Sequence, residues 1–293
     1  MEGNSTDWIL AGKITKDVLD YGKTLIKPGA SYTEVTELIE KKILELGGKP
    51  AFPPQMSLNE VAAHFTTNPG EDIIFSDHLV SLDCGVHVNG AIGDSAVTVD
   101  LSGEYDDLVK SAEDAVEQAL KIVGVGVTLG EIGKAIQETI EGYGYHPVKN
   151  LSGHGLGIYQ IHKQPSIPNI ATGDPTPLED GMVIAIEPFS STGAGAIYES
   201  SPCNIYTLKS PRNVRSPMTR QVLQEIMKYE GLPFTTRWLA KKFPLGQIRF
   251  ALREMETLGM LEEHPPLPDK AKGMVAQAEH TVIVGKKCII TTR

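Results

Sequence analysis

The sequence contains few cysteines and no long apolar run. Its 3 cysteines (Cys84, Cys203, Cys288) have no repeated spacing, which excludes a disulfide-stapled secreted domain and a four-thiolate zinc site. No stretch approaches the roughly 18 consecutive apolar residues of a membrane-spanning helix. The N-terminal sequence MEGNSTDWIL lacks the basic and apolar segments of a secretory signal. We therefore expect a cytoplasmic protein with reduced thiols and no membrane partner.

Positive charge is also scarce. The chain has 27 Lys and Arg against 37 Asp and Glu, a net charge of −10. Such a protein repels polyanions, so DNA is excluded as a general partner. A length of 293 residues indicates one large domain or two. We expect the chain to be a monomer.

A weak internal repeat organises the first half of the chain. Residues 25–50 recur in type at 122–147, an offset of 97 residues. Each copy indicates a helix end, a glycine turn, an amphipathic helix and an exit through Gly and Pro. Chance is the alternative, because two helices that end in glycine are common. A true repeat predicts two related α/β halves with a crevice between them, where sites tend to form.

Strand signals follow these helices. Apolar segments at 78–86 and 91–101 flank Asn89-Gly90, which predicts a tight β-hairpin. The run MVIAIEPF at 182–189 predicts one buried strand.

Residues 200–268 depart from this α/β pattern. Their periodicity predicts three helices followed by a short strand. From 209 to 268 the chain carries ten Lys or Arg and six Asp or Glu, a net of +4. We expect an inserted, winged-helix-like helical subdomain at 200–268, and a main domain formed by 1–199 and 269–293.

Two aspartates of the predicted hairpin are candidates for metal binding. Asp83 and Asp94 lie on opposite strands, embedded in apolar sequence. They are directly opposed if paired residue numbers sum to 177 and diagonal neighbours if the numbers sum to 179. Both registers place the two carboxylates on one face of the sheet. The alternative is a pair of surface aspartates beside a turn.

Three more residues extend this candidate site. His154 lies between glycines in SGHGLG, Glu187 ends the run MVIAIEPF, and Glu279 precedes the β-branched run in AQAEHTVIV. A lone glycine-flanked histidine is more often structural, and a strand-end glutamate is more often solvated. Four carboxylates in one pocket, however, cannot all stay ionised without cations. Two divalent ions would neutralise them, and oxygen ligands with one imidazole suit Co²⁺, Mn²⁺, Fe²⁺ or Zn²⁺.

Two other histidines are free to bind substrate. His64 maps by the 97-residue offset to position 161, next to His162, so we expect the two to approach the site from opposite halves. Neither is needed as a metal ligand, so both are free to donate hydrogen bonds. The remaining histidines are interpreted as structural or peripheral: His78, His87, His146, His264 and His280.

These residues, in this order, resemble the methionine aminopeptidases. The motifs LDCG, GHGLG, IEPF and AQAEHT are close to signature segments of that family. The basic insertion resembles the type 2 enzymes, in their short, archaeal-style form, within peptidase family M24. The resemblance implies an α+β pita-bread (creatinase/aminopeptidase) fold, with two related halves around a curved antiparallel sheet. It also implies five metal ligands: Asp83, Asp94, His154, Glu187 and Glu279.

The resemblance implies a reaction and roles for individual residues. Hydroxide activated by the two metal ions attacks the first peptide bond, releasing methionine from nascent chains whose second residue is small. Glu187 also shuttles the proton, His162 hydrogen-bonds the substrate carbonyl, and His64 contacts the leaving amide nitrogen. The residues that match positions lining the methionine pocket are Phe52, Ile161 and Phe189. His264 stands where the family often has tyrosine.

Two alternatives share the fold: a second kind of metallopeptidase, and a non-catalytic protein of a different functional class. A proline dipeptidase shares the fold, but such an enzyme is expected to have Arg-x-Glu at the last ligand, where this chain has Gln277-Ala278-Glu279. A non-catalytic relative that binds RNA or protein is expected to have lost ligands, whereas all five are present. The basic insertion could contact the ribosome transiently, or it could simply pack against the acidic main domain.

Overall fold

The computed structural model describes residues 2–293 and contains two similar helix pairs. The first pair is α1 (Ser5–Leu25) and α2 (Tyr32–Glu45), and the second is α3 (Asp106–Ile122) and α4 (Leu129–Gly142). Helices α2 and α4 are both 14 residues long, and both of their ends differ by the predicted offset of 97 residues.

The caps of α2 and α4 also correspond. The Ser31 hydroxyl accepts a hydrogen bond from the amide of Glu34, and the Thr128 hydroxyl accepts one from Glu131, satisfying otherwise unpaired helix N–H groups. Both helices are followed by a glycine with positive φ, at positions 47 and 144. The two related halves predicted from the sequence are therefore confirmed.

Three antiparallel sheets lie outside residues 200–268, in the part of the chain for which we use the term main domain. The first comprises β1 (Lys49–Pro50), β2 (Gln55–Leu58), β3 (Leu79–Val88) and β4 (Ala91–Asp100). The second is small and comprises β5 (His146–Pro147), β9 (Phe189–Ser191) and β13 (Val275–Gln277). The third comprises β6 (Ser152–Gly157), β7 (Gln160–Pro168), β8 (Val183–Ile186), β14 (His280–Ile283) and β15 (Ile289–Ile290).

The β3–β4 hairpin has the tight turn that the sequence predicts. Asn89 and Gly90 have φ values of 51° and 86°, as a two-residue primed turn requires. The register pairs Asp83 with Ala96 and Gly85 with Asp94, so paired numbers sum to 179. Asp83 and Asp94 are therefore diagonal neighbours on one face of the sheet.

The prediction of a single strand at 182–189 is wrong. Strand β8 ends at Ile186 and β9 begins at Phe189, and the two belong to different sheets. Pro188 has no N–H to donate to a ladder, so the chain turns out of the third sheet here. Glu187 consequently lies at a corner between two sheets.

The inserted segment has a core of its own. It contains β10 (Ile205–Leu208), β11 (Phe234–Thr235) and β12 (Leu261–Glu263), with helices α5 (Pro217–Ile226), α6 (Thr236–Ala240) and α7 (Leu245–Thr257). Its buried apolar residues pack on one another, among them Val222, Phe234, Ala251 and Met255. The chain leaves and re-enters the main domain where Ser200 N donates to Pro266 O and Tyr198 N to Pro268 O. No helix among residues 2–293 is long and apolar enough to cross a membrane.

Helix α1 lies very close to the C-terminal strands, and this gives a stability prediction. A Cβ on Gly12 would lie 2.4 Å from the backbone oxygen of Thr291. We expect Gly12→Ala to lower the free energy of unfolding by about 1–3 kcal/mol, the usual cost of overpacking. Gly142→Ala is the matched control, because Gly142 is also helical but a Cβ there would meet nothing within 4 Å. Urea titration of both variants measures the difference; equal midpoints would contradict the close packing.

Candidate metal centre

The five candidate ligands come from separate elements of the two halves. Asp83 lies on β3, Asp94 on β4 and His154 on β6. Glu187 follows β8, and Glu279 stands between β13 and β14. All five line one cavity of about 480 Å³. Residues almost 200 positions apart in the sequence are thus brought to one place by the fold.

The distances between these side chains are those of a metal-binding cluster. His154 Nε2 lies 3.6 Å from Asp94 Oδ2 and 3.4 Å from Glu187 Oε1. One ligand atom each from Asp94, His154 and Glu279 lie within 4.8 Å of one another. Asp94, His154 and Glu279 are buried, whereas Asp83 and Glu187 are half-buried and face the cavity.

The electrostatics of the cluster favour a bound cation. Burial raises the pKa of Asp83 to about 7. Burial, and then the charges of neighbouring carboxylates, raise the pKa of Asp94, Glu187 and Glu279 well above the usual range. Burial lowers the pKa of His154 to about 3, so its imidazole is neutral and keeps a lone pair for a metal. Negative charge here is costly unless a cation compensates it.

Unpartnered oxygen atoms fit the same conclusion. Asp83 Oδ1 and Asp94 Oδ1 are buried without a hydrogen-bond partner, which is unusual because buried polar atoms are normally paired. Four carboxylates and one imidazole match the ligand preferences of Mn²⁺, Fe²⁺, Co²⁺ or Zn²⁺. The residues present therefore fit a divalent metal centre.

Neighbouring polar groups orient the ligands. Gln277 Nε2 donates to Glu187 Oε2 at 3.4 Å. The Thr281 hydroxyl accepts from Asp94 N at 2.8 Å and donates to Asp94 O at 2.7 Å. These contacts tie the hairpin of the first half to the C-terminal strands, as ligand-orienting groups commonly do at metal sites.

Three histidines form one side of the cavity beside the cluster. The ring centroid of His162 lies 4.7 Å from that of His154 and 6.2 Å from that of His264, and His64 lies 5.5 Å from His264. Burial within the cavity walls, followed by neighbouring histidines, lowers the pKa of His64 to about 3 and that of His162 to about 4. Burial also lowers the pKa of His264. All three rings are therefore mainly neutral at pH 7 and can donate one hydrogen bond each. The predicted approach of His64 and His162 to the cavity agrees with these positions.

His64 has a constrained backbone. Its φ is 64°, in the left-handed region that residues other than glycine seldom adopt. The conformation is held because His64 N donates to Gln55 Oε1 at 2.6 Å and the ring Nδ1 lies 3.3 Å from Pro265 O. Strain of this kind is typical of functional sites.

The structure corrects the interpretation of His264 as peripheral. His264 lies on the cavity wall together with Ile205 and Pro233, which the sequence analysis did not identify. All three belong to the inserted segment, and only its docking onto the main domain brings them there. The position where the family often has tyrosine was the one available sequence signal. Among residues 2–293, the other histidines assigned to the periphery lie outside this cavity: His78, His87, His146 and His280.

Apolar side chains form the rest of the lining. Phe52, Ile161 and Phe189 all contact the cavity and are otherwise buried. A Cβ on Gly85 would lie 2.2 Å from the Phe52 ring, so the glycine gives this ring its space. The cavity therefore combines a carboxylate cluster, neutral imidazole donors and an apolar wall.

This fold, with such a cluster between its two halves, defines a metal-dependent hydrolase of the pita-bread class. The family model described as Metallopeptidase family M24 matches residues 9–286. The chain therefore belongs to metallopeptidase family M24. The predicted divalent metal cofactor agrees with this assignment.

Within this family, the chain is similar to proteins named methionine aminopeptidase. The chain is 45% identical over 288 residues to methionine aminopeptidase of Thermococcus onnurineus, covering 97% of this chain and 98% of that protein. It is 35% identical to methionine aminopeptidase 2 of Candida dubliniensis, covering 97% of this chain and 68% of that protein. The solved methionine aminopeptidase of Thermotoga maritima superimposes with a TM-score of 0.73 at 23% identity, covering 100% of this chain and 99% of that one. This last likeness shows the fold, and the predicted pita-bread architecture is confirmed.

Proposed function

We propose that this metallopeptidase removes the N-terminal methionine from nascent polypeptides and prefers a small second residue. The observation that carries the proposal is one cavity in which a five-residue ligand cluster, neutral histidines and apolar side chains meet. An apolar slot suits the thioether of methionine. Relatives that span nearly the full chain support methionine as the residue released. We also propose a cytoplasmic, monomeric protein.

The proposed metal ligands are the five clustered side chains. Two divalent ions held there would supply Lewis acidity and lower the pKa of a water molecule to near neutral. The chain's own groups orient the substrate. Glu187 faces the cavity and is positioned both to bind metal and to accept a proton from the attacking water. Glu187 would then return that proton to the leaving amine as a general acid.

The histidine side of the cavity is proposed to bind the peptide group. His162 is exposed to the cavity and adjacent to His154, so its N–H can donate to the scissile carbonyl as negative charge develops there. His64 can hydrogen-bond the amide nitrogen that leaves. Phe52, Ile161 and Phe189 are proposed to contact the methionine side chain.

The inserted segment is proposed as a separate subdomain at 200–268, with the catalytic domain formed by 1–199 and 269–293. Its own apolar core and the paired crossings near Ser200 and Pro266 support these boundaries. Its net charge of +4 supports a transient contact with ribosomal RNA, since phosphates attract such a surface.

Substrate choice tests the proposed function. We expect release of methionine from Met-Ala-Ser, little release from Met-Lys-Ser, and no cleavage of X-Pro dipeptides. A chelator should abolish the release, and a divalent ion added back should restore it, because the clustered carboxylates need a cation. Amino-acid analysis of the products measures each case. Cleavage confined to X-Pro dipeptides would instead identify a proline dipeptidase.

A further inference from the structure

The inserted segment supplies one wall of the cavity, and this wall is a connected unit. Ile205, Pro233 and His264 form it. Ile205 pairs with Thr235 in the β10–β11 ladder, and His264 N donates to Ile205 O at 2.9 Å. The His264 ring lies 2.8 Å from the Thr207 hydroxyl on the same strand. The insertion wall, as we call these three residues, therefore moves only as the insertion moves.

A buried ionic contact joins the insertion to the main domain. Glu40 on α2 accepts hydrogen bonds from three side chains of or next to α6: Arg237, Trp238 at 2.6 Å and Lys241 at 3.4 Å. Arg237 uses both terminal nitrogens, one of them at 3.2 Å. Glu40 and Arg237 are only 8% and 5% exposed, so solvent screens this pair weakly. We call this contact the Glu40 clamp.

The clamp is close in the chain to the insertion wall. Pro233 directly precedes the β11 strand, and Arg237 is the second residue of α6, which begins where β11 ends. Thr236 N donates to Asn204 O at 3.2 Å, next to Ile205. A displacement of α6 would therefore reach the insertion wall by two short routes. One is the chain from α6 back through β11 to Pro233, and the other is the hydrogen bond from Thr236 to Asn204, next to Ile205.

A buried ion pair of this kind is better suited to fixing geometry than to adding stability. Desolvation offsets much of its attraction, and apolar pairs of similar volume are often equally stable. A guanidinium that contacts a carboxylate with two nitrogens, however, sets both distance and orientation. Burial by itself raises the pKa of Glu40, but the hydrogen bonds and charge of Arg237 outweigh it and leave the pKa lowered. The pair is thus ionised at pH 7.

We propose that Glu40 and Arg237 are positioning residues for methionine release. They hold the insertion wall in the position that gives the cavity the width that the substrate requires. The proposal rests on the function proposed above. All five candidate metal ligands lie outside residues 200–268, so loosening the clamp leaves the metal cluster in place. The consequence is weaker substrate binding rather than slower chemistry.

The test separates positioning from stability with three variants. We expect Glu40→Gln and Arg237→Met each to raise KM for Met-Ala-Ser about tenfold while kcat changes less than about twofold, the pattern of lost uniform binding. In Glu40→Met/Arg237→Met, we expect the thermal midpoint to return to that of the parent, as apolar replacements of buried ion pairs often allow. KM should stay raised, because flexible methionines fix no orientation. A KM that returns to the parental value together with the midpoint would overturn the proposal.

Glu225→Gln is the matched control. Glu225 is likewise 8% exposed and accepts from two lysines, Lys228 at 2.8 Å and Lys242 at 2.6 Å, but all three belong to the insertion. We expect a parental KM in this variant. An equal rise in KM would show that insertion stability, not docking, sets the cavity width, and would refute the clamp.

Amide hydrogen exchange provides a readout that needs no activity. We expect the amides of Ala62 and Leu267 to exchange about tenfold faster in the stable double variant than in the parent. Ala62 N donates to Leu267 O and Leu267 N to Ala63 O, so these bonds join the insertion to the main domain and open more often when the insertion is loosened. Unchanged exchange in that variant would overturn the positioning role. If the parent released no methionine, the proposed function would fail. The exchange measurement would still test whether the Glu40 clamp holds the insertion in place.

Discussion

Asp83→Asn is expected to lose one of two bound metal ions and to lower kcat/KM on the order of 10³-fold, more than the 10–100-fold typical of losing a ligand's hydrogen-bond partner. An amide is a poor ligand where a carboxylate is needed, and the variant also removes charge that balances the cations. Elemental analysis after exhaustive dialysis counts the ions, and a Met-Ala-Ser assay measures kcat/KM.

The fold of this variant is expected to survive. Asp83 Oδ1 is buried without a partner, so in the metal-free protein the charged carboxylate is a source of instability. Metal-free Asp83→Asn should therefore unfold at a temperature no lower than the metal-free parent. Asp77→Asn is the matched control, because Asp77 is exposed and lies just ahead of the same strand. Two retained ions with full turnover in Asp83→Asn would remove Asp83 from the ligand set.

His162→Ala is expected to lower kcat/KM by about 10²–10³-fold, the usual loss when one donor to a developing oxyanion is removed. The effect should fall mainly on kcat, since the hydrogen bond strengthens as charge builds on the carbonyl oxygen. Metal content should remain at two ions, because His162 packs against His154 but is not itself a proposed ligand. Initial rates of methionine release, measured over a range of substrate concentrations, separate kcat from KM.

Two further variants test whether His162 donates a hydrogen bond to the substrate carbonyl. His162→Gln retains an N–H donor of similar reach and should recover part of the rate. His146→Ala is a control, since His146 is exposed and lies outside the cavity. A parental kcat in His162→Ala, or the same loss in His146→Ala, would rule out a carbonyl contact.

Several features could be predicted from the sequence because neighbouring residues decide them. The Asn89-Gly90 turn sets the hairpin, since few other residue pairs tolerate two positive φ values. Strand alternation then places Asp83 and Asp94 on one face in either register.

Other features depend on how distant segments pack. The strand predicted through Glu187 breaks into two, because sheet membership is decided by partners elsewhere in the chain. His264, Ile205 and Pro233 reach the cavity only when the insertion docks. Glu40 and Arg237 have no shared motif or spacing that would pair them.

The sequence by itself determined the local geometry, the ligand types and the need for a cation, because each follows from backbone preferences or from the cost of crowded charge. The tertiary structure alone decided which side chains face the cavity and which contacts join the insertion to the main domain. The physical reason is that a contact between residues far apart in the chain depends on the packing of everything between them. No pattern along the chain records that packing.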